Sequence, residues 1–234
     1  MSARVGVVLF PGSNCEQDVV HAVRYLGGEP AYVWHHSTEL AGFDAVVLPG
    51  GFSFGDYLRT GAIAAFSPVM DAVRDFARAG GPVLGICNGF QILCEAGILP
   101  GALRRNAGLK FRCRPQHLRV ETASSPFTAG TRPGDVLEVP INHFEGNYYC
   151  APEVLAELDE QDRVAFRYAT PEGEVTPDAN PNGAVSNIAG ILSEGRNVLG
   201  MMPHPERRVD PATGGTDGQP ILRSLLDAAV ASIA

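Results

Sequence analysis

The feature that most constrains the fold is a series of short, unbroken apolar runs. They are RVGVVLF at 4–10, PAYVWHH at 30–36, DAVVLPGG at 44–51 and PVLGI at 82–86. A strand covered on both faces reads as a continuous apolar run, whereas a half-exposed strand alternates apolar and polar residues. Every run is far shorter than the about 20 residues that a membrane-spanning helix needs. The runs therefore predict buried strands of a parallel sheet and no association with a membrane.

Helical patterns lie between these runs. Ser13 and Glu16 fit the S-x-x-E capping box that starts a helix, and Gly27-Gly28 is the glycine signal that ends one. Between them the apolar residues keep helical spacing: Val19, Val20, Val23 and Leu26. Further helices are predicted over 66–79 and 89–97. The alternation of strand and helix predicts an α/β fold with a mainly parallel sheet, right-handed crossovers and helices on both faces.

The second half of the chain has a different pattern. Shorter strands with antiparallel pairing are predicted at HLRVE (117–121), DVLEVP (135–140) and RVAFRY (163–168), and a turn-rich connection at 177–187. An apolar strand, NVLGMM, follows at 197–202, and an apolar helix is predicted over 219–233. Because the chain contains no repeat, low-complexity tract or linker, we expect a single domain over 1–234.

Composition excludes several functions. The net charge is −8 and the basic residues are scattered, which argues against a nucleic-acid partner. The five cysteines include no C-x-x-C, so we expect neither a disulfide framework nor a metal site. With no signal-peptide pattern at its start, the chain is expected to be cytoplasmic. The single lysine, Lys110, does not lie in G-K-[ST], so the chain has no P-loop for a nucleotide.

Cys87 is the candidate nucleophile. It lies between Gly85 and Gly89, where the run PVLGI meets the next helix. In open α/β sheets ligands gather at the carboxyl ends of strands. A sharp strand-to-helix turn flanked by glycines is the geometry of the nucleophile elbow, here with sulfur in place of oxygen. The adjacent helix N-terminus favours a thiolate, and the Asn88 N–H is available to an oxyanion. A buried structural cysteine at a glycine-rich turn is the alternative.

His204 and Glu206 are the candidate base and its orienting carboxylate. Pro203 and Pro205 hold the chain around His204 out of the helical region. In an extended chain residues i and i+2 point to the same side, so Glu206 can hold the imidazole. Cysteine, histidine and carboxylate make a complete acyl-transfer triad. The alternative is a surface turn whose histidine has no role.

The other cysteines and the remaining glycines carry weaker signals. Cys94 lies two helical turns after Cys87 and is interpreted as core packing; no motif surrounds Cys15, Cys113 or Cys150. The Gly50-Gly51 pair follows a predicted strand. It could direct a second oxyanion donor into the cleft, or it could be only a tight turn.

These residues together resemble a known family. GICNGFQ, preceded by LPGG and followed by PHPE, is similar to the class I (triad) glutamine amidotransferases, which share a flavodoxin-like α/β fold and release ammonia from glutamine through a thioester. The blocks VLFPGSNCEQD, LPGGFSFGDYLRTGAIAA, EGNYY and NPNGAVSNIAGI resemble, within that class, the glutaminase subunits of phosphoribosylformylglycinamidine synthases of purine biosynthesis. The matching blocks cover nearly the whole chain.

The resemblance implies roles for further residues. Cys87 is expected to be the nucleophile, His204 the base and then acid, and Glu206 its orienting partner. Gln91 is expected to hold the amino-acid end of glutamine, and the N–H groups of Gly51 to Ser53, with that of Asn88, to form the oxyanion hole. The loop Asn142-His143-Phe144 is expected to bind the substrate carboxylate through its backbone. Here the chain departs from the pattern, because Phe144 stands where the subfamily has glycine.

The resemblance also implies partners. The chain itself is expected to need no cofactor, and ATP and Mg²⁺ to be used by a separate large synthetase subunit, assisted by a small bridging subunit. For Asp56, Tyr57 and Arg59, two interpretations stay open: a surface that serves the partner, or a structural Asp–Arg pair, which we favour. Three other functions also stay open: a glutaminase of another amidotransferase, a cysteine hydrolase or chaperone of this fold, and a non-catalytic binding subunit.

Overall fold

The computed structural model describes residues 2–231 and confirms the α/β prediction. Five α-helices lie in this range: α1 (Glu16–Tyr25), α2 (Pro68–Arg78), α3 (Asn88–Glu95), α4 (Pro152–Glu160) and α5 (Gln219–Ala231). The strands are β1 (Arg4–Leu9), β2 (Glu29–Trp34), β3 (Ala45–Leu48), β4 (Val83–Ile86), β5 (Ala102–Arg104), β6 (Arg112–Val120), β7 (Val136–His143), β8 (Asn147–Tyr149), β9 (Val164–Ala169), β10 (Ile188–Leu192) and β11 (Val198–Met201). Residues 232–233 of the helix predicted over 219–233 lie outside the described residues.

Nine strands form one sheet in the order β2-β1-β3-β4-β11-β10-β9-β6-β7. The first five strands in this order pair in parallel. Their arrangement is the flavodoxin-like one, in which the chain reverses direction across the sheet between β1 and β3. The parallel part of the prediction and the flavodoxin-like fold are therefore confirmed.

The remaining four strands of this sheet pair antiparallel to one another and to β11. They come from the second half of the chain, as the sequence predicts. A separate small sheet joins β5 to β8. Neither this sheet nor β10 is among the predicted elements, and α4 is also missing from them. Helix α4 has only one buried residue, Leu158, so the apolar pattern that predicts a helix is weak there.

Burial explains why the central strands have no alternation. Every residue of β3, β4 and β11 is buried. A strand of this kind has helices or loops against both faces, so each of its side chains is apolar or small. The carboxyl ends of β1, β3, β4 and β11 meet at one edge of the sheet, and the loops after them meet there too. No helix among residues 2–231 is long and apolar enough to cross a lipid bilayer.

One prediction about helix capping is wrong. Helix α1 begins at Glu16 with Cys15 as its N-cap, and no side chain caps it. The Ser13 hydroxyl instead accepts a hydrogen bond from the Phe10 N–H at 3.1 Å. Ser13 is held away from the helix because it pairs with Gly51 in an isolated β-bridge.

Candidate active site

Cys87 lies on a strained turn at the end of β4. Its backbone has φ 52° and ψ −104°, a conformation that side-chain-bearing residues rarely adopt. A Cβ at Gly89 would overlap the Leu48 carbonyl oxygen, and a Cβ at Gly85 would lie 2.8 Å from the Gly89 backbone. The turn can therefore form only between glycines, as predicted. Such strain is stored where the position of a side chain matters for function.

The second group comes from the end of β11. The Nδ1 atom of His204 lies 2.6 Å from Oε1 of Glu206, and both side chains are buried. The predicted pair is therefore present, but the reason given for it is wrong in part. Pro205–Arg207 forms a 3-10 turn rather than extended chain. His204 itself is outside the helical region, with φ −106° and ψ 83°, and its N–H donates to the Pro140 carbonyl at 2.8 Å.

Cys87 and His204 line the same cavity. Burial lowers the pKa of His204, but the Glu206 carboxylate and the thiols of Cys87 and Cys15 outweigh it and raise that pKa well above 6.5. The Nε2 atom is buried and has no hydrogen-bond partner among residues 2–231. Buried polar atoms are rarely left in this state, and those that are need an explanation. Because His204 lines the cavity, a reacting group bound there could supply the missing partner.

His143 is the only other histidine in this cavity among the residues described, and it is unsuited to be the base. Burial, with His204 as a second cause, lowers the pKa of His143 to about 3, so its ring stays neutral. Its Nδ1 lies 3.2 Å from Oδ1 of Asn106, and its Nε2 lies 3.5 Å from Nδ2 of Asn182. The ring is therefore a structural support for the loop that follows β7.

Two of the predicted oxyanion donors are available. The Gly51 N–H has no acceptor among residues 2–231, and the Asn88 N–H lies in the first turn of α3, where no helical partner exists. The Ser53 N–H differs, because it donates to Oδ1 of Asn88 at 3.2 Å. The Phe52 N–H is likewise occupied, by the Gly12 carbonyl at 2.9 Å. The predicted set of donors is thus reduced to Gly51 and Asn88.

The cavity has a volume of about 260 Å³. This is smaller than the about 300–1,000 Å³ of pockets for drug-sized ligands and suits a small metabolite. Gln91 lines it and is held by two bonds, from Asn88 Nδ2 at 2.9 Å and to the Glu145 carbonyl at 2.6 Å. Asn142 and Phe144 line it too, and the Asn142 carbonyl lies 3.7 Å from the Cys87 sulfur.

Phe144 is one of the residues that line this cavity. Its side chain is half-buried, its carbonyl accepts the Asn106 N–H at 2.9 Å, and the Arg105 guanidinium lies 5.9 Å from its ring centroid. Asn106 further fixes the loop by accepting the Gly146 N–H at 3.0 Å and donating to the His143 carbonyl at 3.0 Å. The loop after β7 is therefore anchored from β5 and its neighbouring residues, independently of the glycine that the family pattern has at this place.

Cys15 is the residue that sequence reasoning most clearly missed. It is buried in the same cavity, and a Cβ placed on Gly50 would touch both the Cys15 sulfur, at 3.1 Å, and the His204 ring, at 2.8 Å. Arg207 donates to this sulfur at 3.2 Å and is paired with Asp18 at 3.0 Å. No motif surrounds Cys15 in the sequence, yet its side chain lies beside His204 in the cavity. Only the meeting of the loops after β1 and β11 reveals it.

The thiol of Cys15, His204 and Glu206 also form a group whose ligand atoms lie within 4.8 Å of one another. Cysteine, histidine and carboxylate are zinc ligands in kind. Here, however, His204 Nδ1 is bonded to Glu206, and the Arg207 cation occupies the side of the Cys15 sulfur. Both contacts oppose binding of a metal ion by this group.

Cys94 lies away from this site. It lines a wider cleft of about 900 Å³ with Arg163 and Asn197, and its sulfur contacts the Pro100 carbonyl at 3.7 Å. Burial, with Glu95 as a second cause, raises the pKa of the Cys94 thiol far above its ordinary value, which keeps it unreactive. Its interpretation as core packing fits this environment.

The favoured Asp56–Arg59 pair is wrong. Arg59 forms two bonds to Glu95, at 2.7 and 2.6 Å, across the surface of α3. Asp56 turns the other way and lines the cavity that contains Cys87. Tyr57 and Leu58, which follow it, are exposed.

Comparison with known proteins finds one matching family model and several relatives that are similar over nearly their whole length. A family model described as the CobB/CobQ-like glutamine amidotransferase domain matches residues 2–215. A protein of Koribacter versatilis named phosphoribosylformylglycinamidine synthase subunit PurQ is 59% identical, over 96% of this chain and 98% of the relative. Its namesake in Moorella thermoacetica is 57% identical, over 96% of this chain and 95% of the relative.

Solved structures are also similar to this chain. A chain in the structure of PurLQS from Thermotoga maritima has a TM-score of 0.87 and 40% identity, covering 97% of this chain and 99% of its own length. A glutamine amidotransferase from Thermotoga maritima has a TM-score of 0.63 at 16% identity, covering 98% of this chain and 99% of its own. This second likeness shows the fold alone.

Proposed function

The chain belongs to the glutamine amidotransferases, in the family named phosphoribosylformylglycinamidine synthase subunit PurQ, and from that premise we propose that it is the glutaminase subunit of this synthase in purine biosynthesis. It hydrolyses glutamine to glutamate and ammonia. The ammonia passes to the synthetase subunit, which uses ATP to convert formylglycinamide ribonucleotide to formylglycinamidine ribonucleotide. The observation that carries the assignment of the site is the buried His204–Glu206 pair beside Cys87.

The reaction divides into two steps. The raised pKa of His204 keeps the imidazole protonated next to Cys87, so the reactive form is a thiolate–imidazolium pair. The Cys87 sulfur bonds to the side-chain carbonyl carbon of glutamine, and the oxygen, now negative, is bound by the N–H groups of Gly51 and Asn88. The carbon–nitrogen bond then breaks as His204 gives its proton to the departing nitrogen, leaving a thioester and ammonia.

Water completes the cycle. Neutral His204 takes a proton from water, and the hydroxyl oxygen bonds to the thioester carbon. The carbon–sulfur bond breaks, glutamate leaves and the thiolate–imidazolium pair is restored. Glu206 holds the ring so that Nε2 faces the sulfur throughout, and it stabilises the positive charge each time it forms.

Ammonia must be used elsewhere, which explains the partners. In water at neutral pH it becomes unreactive ammonium, and the sequence of this chain contains no P-loop for the ATP that activates the acceptor. The large synthetase subunit and the small bridging subunit of the same complex complete the enzyme. The structure of PurLQS from Thermotoga maritima supports this assembly. We place the complex in the cytoplasm, where purine biosynthesis occurs.

The test uses the complex reconstituted with the synthetase and bridging subunits. With Cys87→Ala we expect no formylglycinamidine ribonucleotide from glutamine and an unchanged rate from an added ammonium salt, because the free ammonia in equilibrium with it reaches the synthetase without the thioester. Cys94→Ala is the matched control and keeps both activities. Glutamate release by the complex that contains Cys87→Ala at the wild-type rate would refute the assignment of the nucleophile.

The same experiment separates the alternatives. A non-catalytic binding subunit predicts no glutamate release from the wild-type complex. A cysteine hydrolase of another class predicts a thiol-dependent activity on other substrates and none on glutamine. Another amidotransferase predicts glutamate release that no formylglycinamide ribonucleotide stimulates.

A further inference from the structure

Two carboxylates in the active-site cavity have no part in the triad chemistry. Asp56 and Glu145 both line the cavity that contains Cys87. Glu145 already has partners, since its carboxylate accepts from the Thr60 hydroxyl at 2.8 Å and lies 3.5 Å from the Arg105 guanidinium. Asp56 has no ion-pair partner among residues 2–231, and its one recorded donor is Nδ2 of Asn88 at a long 3.5 Å.

The environment of Asp56 disfavours a bare carboxylate. Partial burial, with the charge of Glu145 as a second cause, raises the pKa of Asp56 to about 6. A negatively charged group in such a place is stabilised when a cation enters beside it. Asp56 is therefore placed to receive a positively charged group, which no ion pair within residues 2–231 supplies to it.

A series of contacts connects this pair of carboxylates to the residue beside the nucleophile. Asn88, which directly follows Cys87, contacts Asp56 through its amide nitrogen and donates to Gln91 from the same atom at 2.9 Å. Gln91 in turn donates to the Glu145 carbonyl at 2.6 Å. In glutamine only two methylene groups separate the reacting amide carbon from the α-carbon. A glutamine with its amide carbon at the Cys87 sulfur therefore has its α-ammonium group in the same cavity, which Asp56 and Glu145 also line.

The backbone shows that the placement of Asp56 is costly. Four residues of this loop lie in the left-handed region: Phe54 at φ 54°, Gly55 at 70°, Asp56 at 55° and Leu58 at 69°. Strain of this kind persists only where the surrounding structure imposes it, and it concentrates at functional sites. Aspartate and asparagine tolerate the left-handed region better than most residues, so Asp56→Asn removes the charge while keeping the backbone.

We propose that Asp56, supported by Glu145, binds the α-ammonium group of glutamine and makes the cavity selective for an amino acid over a simple amide. The inference rests on the proposed glutaminase function and adds a specificity residue to it. Asp56 acts in substrate binding, whereas Cys87 and His204 carry out the bond changes.

The test compares glutamine with glutaramate, which is glutamine without its α-amino group, in the complex with the synthetase and bridging subunits. For Asp56→Asn we expect kcat/KM for glutamine to fall about 10- to 100-fold, mainly through KM, as the loss of a charge-assisted hydrogen bond implies. The kcat/KM for glutaramate stays unchanged, so the preference for glutamine collapses. Asp75→Asn, an exposed change on α2, is the matched control and keeps the wild-type preference.

A second variant and a second readout keep the test decisive. Glu145→Gln should reduce the preference in the same direction, and the ammonium-dependent rate shows whether each complex is assembled. Equal losses with the two substrates, or a preference that survives in Asp56→Asn and Glu145→Gln, would overturn the inference while leaving the glutaminase intact. A wild-type complex that hydrolyses neither substrate would overturn the proposed function itself.

Discussion

Replacing Glu206 with glutamine removes the charge that holds His204. The two side chains are buried, and Glu206 Oε1 lies 2.6 Å from Nδ1. Glutamine has nearly the same shape, so the change is electrostatic. Because Glu206 is the largest of the groups that raise the pKa of His204, we expect that pKa to fall in Glu206→Gln. The imidazolium form of His204 beside Cys87 then becomes less populated.

The size of the effect follows from the burial of the pair. Two unit charges about 4 Å apart interact by about 4 kcal/mol at the effective dielectric constant of about 20 that suits protein sites. Since each 1.36 kcal/mol is a factor of ten in rate, the full value corresponds to about a thousandfold. The side-chain amide of the substituted residue at position 206 can still accept a hydrogen bond from Nδ1 of His204, which recovers part of this interaction energy. We therefore expect glutamine-dependent kcat/KM to fall about 10²- to 10³-fold.

The assay follows glutamate release by the complex, with ammonium-dependent synthesis as the measure of assembly. We expect glutamate release to fall and ammonium-dependent synthesis to stay at the wild-type rate. The alkaline limb of the pH profile should move to lower pH, because the imidazolium is lost earlier. Glu172→Gln, an exposed change, is the control. An unchanged glutaminase rate, or an unmoved alkaline limb, would refute the reasoning about Glu206.

Three further outcomes test other parts of the account. Cys15→Ala should lower the pKa of His204, because the Cys15 thiol helps to raise it, and should move the alkaline limb of glutamine-dependent kcat/KM to lower pH; an unmoved profile would contradict a link between the two side chains. Gly89→Ala should lower the free energy of unfolding, measured in urea, by about 1–3 kcal/mol and abolish glutaminase activity, because the added Cβ would overlap the Leu48 carbonyl. Gly108→Ala is the control: its Cβ would approach only a flexible arginine side chain, so neither effect is expected. Asp56→Asn should stabilise the protein at pH 7 by about 1 kcal/mol after solvent screening. The folded-state pKa of Asp56, about 6, lies above the unfolded value of 3.8, so the ionised carboxylate lowers the free energy of unfolding above pH 6. The gain should therefore disappear as the pH falls from 6 towards 4. A gain that persists at pH 4 would assign the effect to something other than charge.

The sequence predicts the parts of this fold that depend on local physical chemistry. Continuous apolar runs indicate β1, β3, β4 and β11, because strands buried on both faces need apolar or small residues throughout. The Cys87 turn is predictable for a similar reason, since the glycines on either side are needed to avoid backbone overlap. Helix α4 escapes prediction because its apolar pattern is weak, with Leu158 as its one buried residue. Strand β10 is an apolar run, IAGIL, that directly follows the turn-rich connection and is not recognised as a separate strand.

The predictions for the site divide in the same way: a pairing between near neighbours in the sequence is predictable, and contacts between distant loops are not. His204 and Glu206 are two residues apart, so their pairing could be predicted even though the turn that joins them is 3-10 rather than extended. Cys15 and Asp56 could not be assigned, because each reaches the cavity through loops that meet only in the folded chain. Arg59 shows the opposite error: it pairs with Glu95, 36 positions away, and no local rule prefers that partner to the nearby Asp56.

The central claim is that the Cys87 sulfur carries the γ-glutamyl group, and the most direct test is to find it there. The complex is quenched with acid during turnover of glutamine, and its peptides are examined by mass spectrometry. The account predicts a glutamyl adduct on the peptide that contains Cys87 and none on the peptide that contains Cys15, the other thiol of the cavity. An adduct on Cys15, or glutamate formed with Cys87 unmodified throughout, would contradict it.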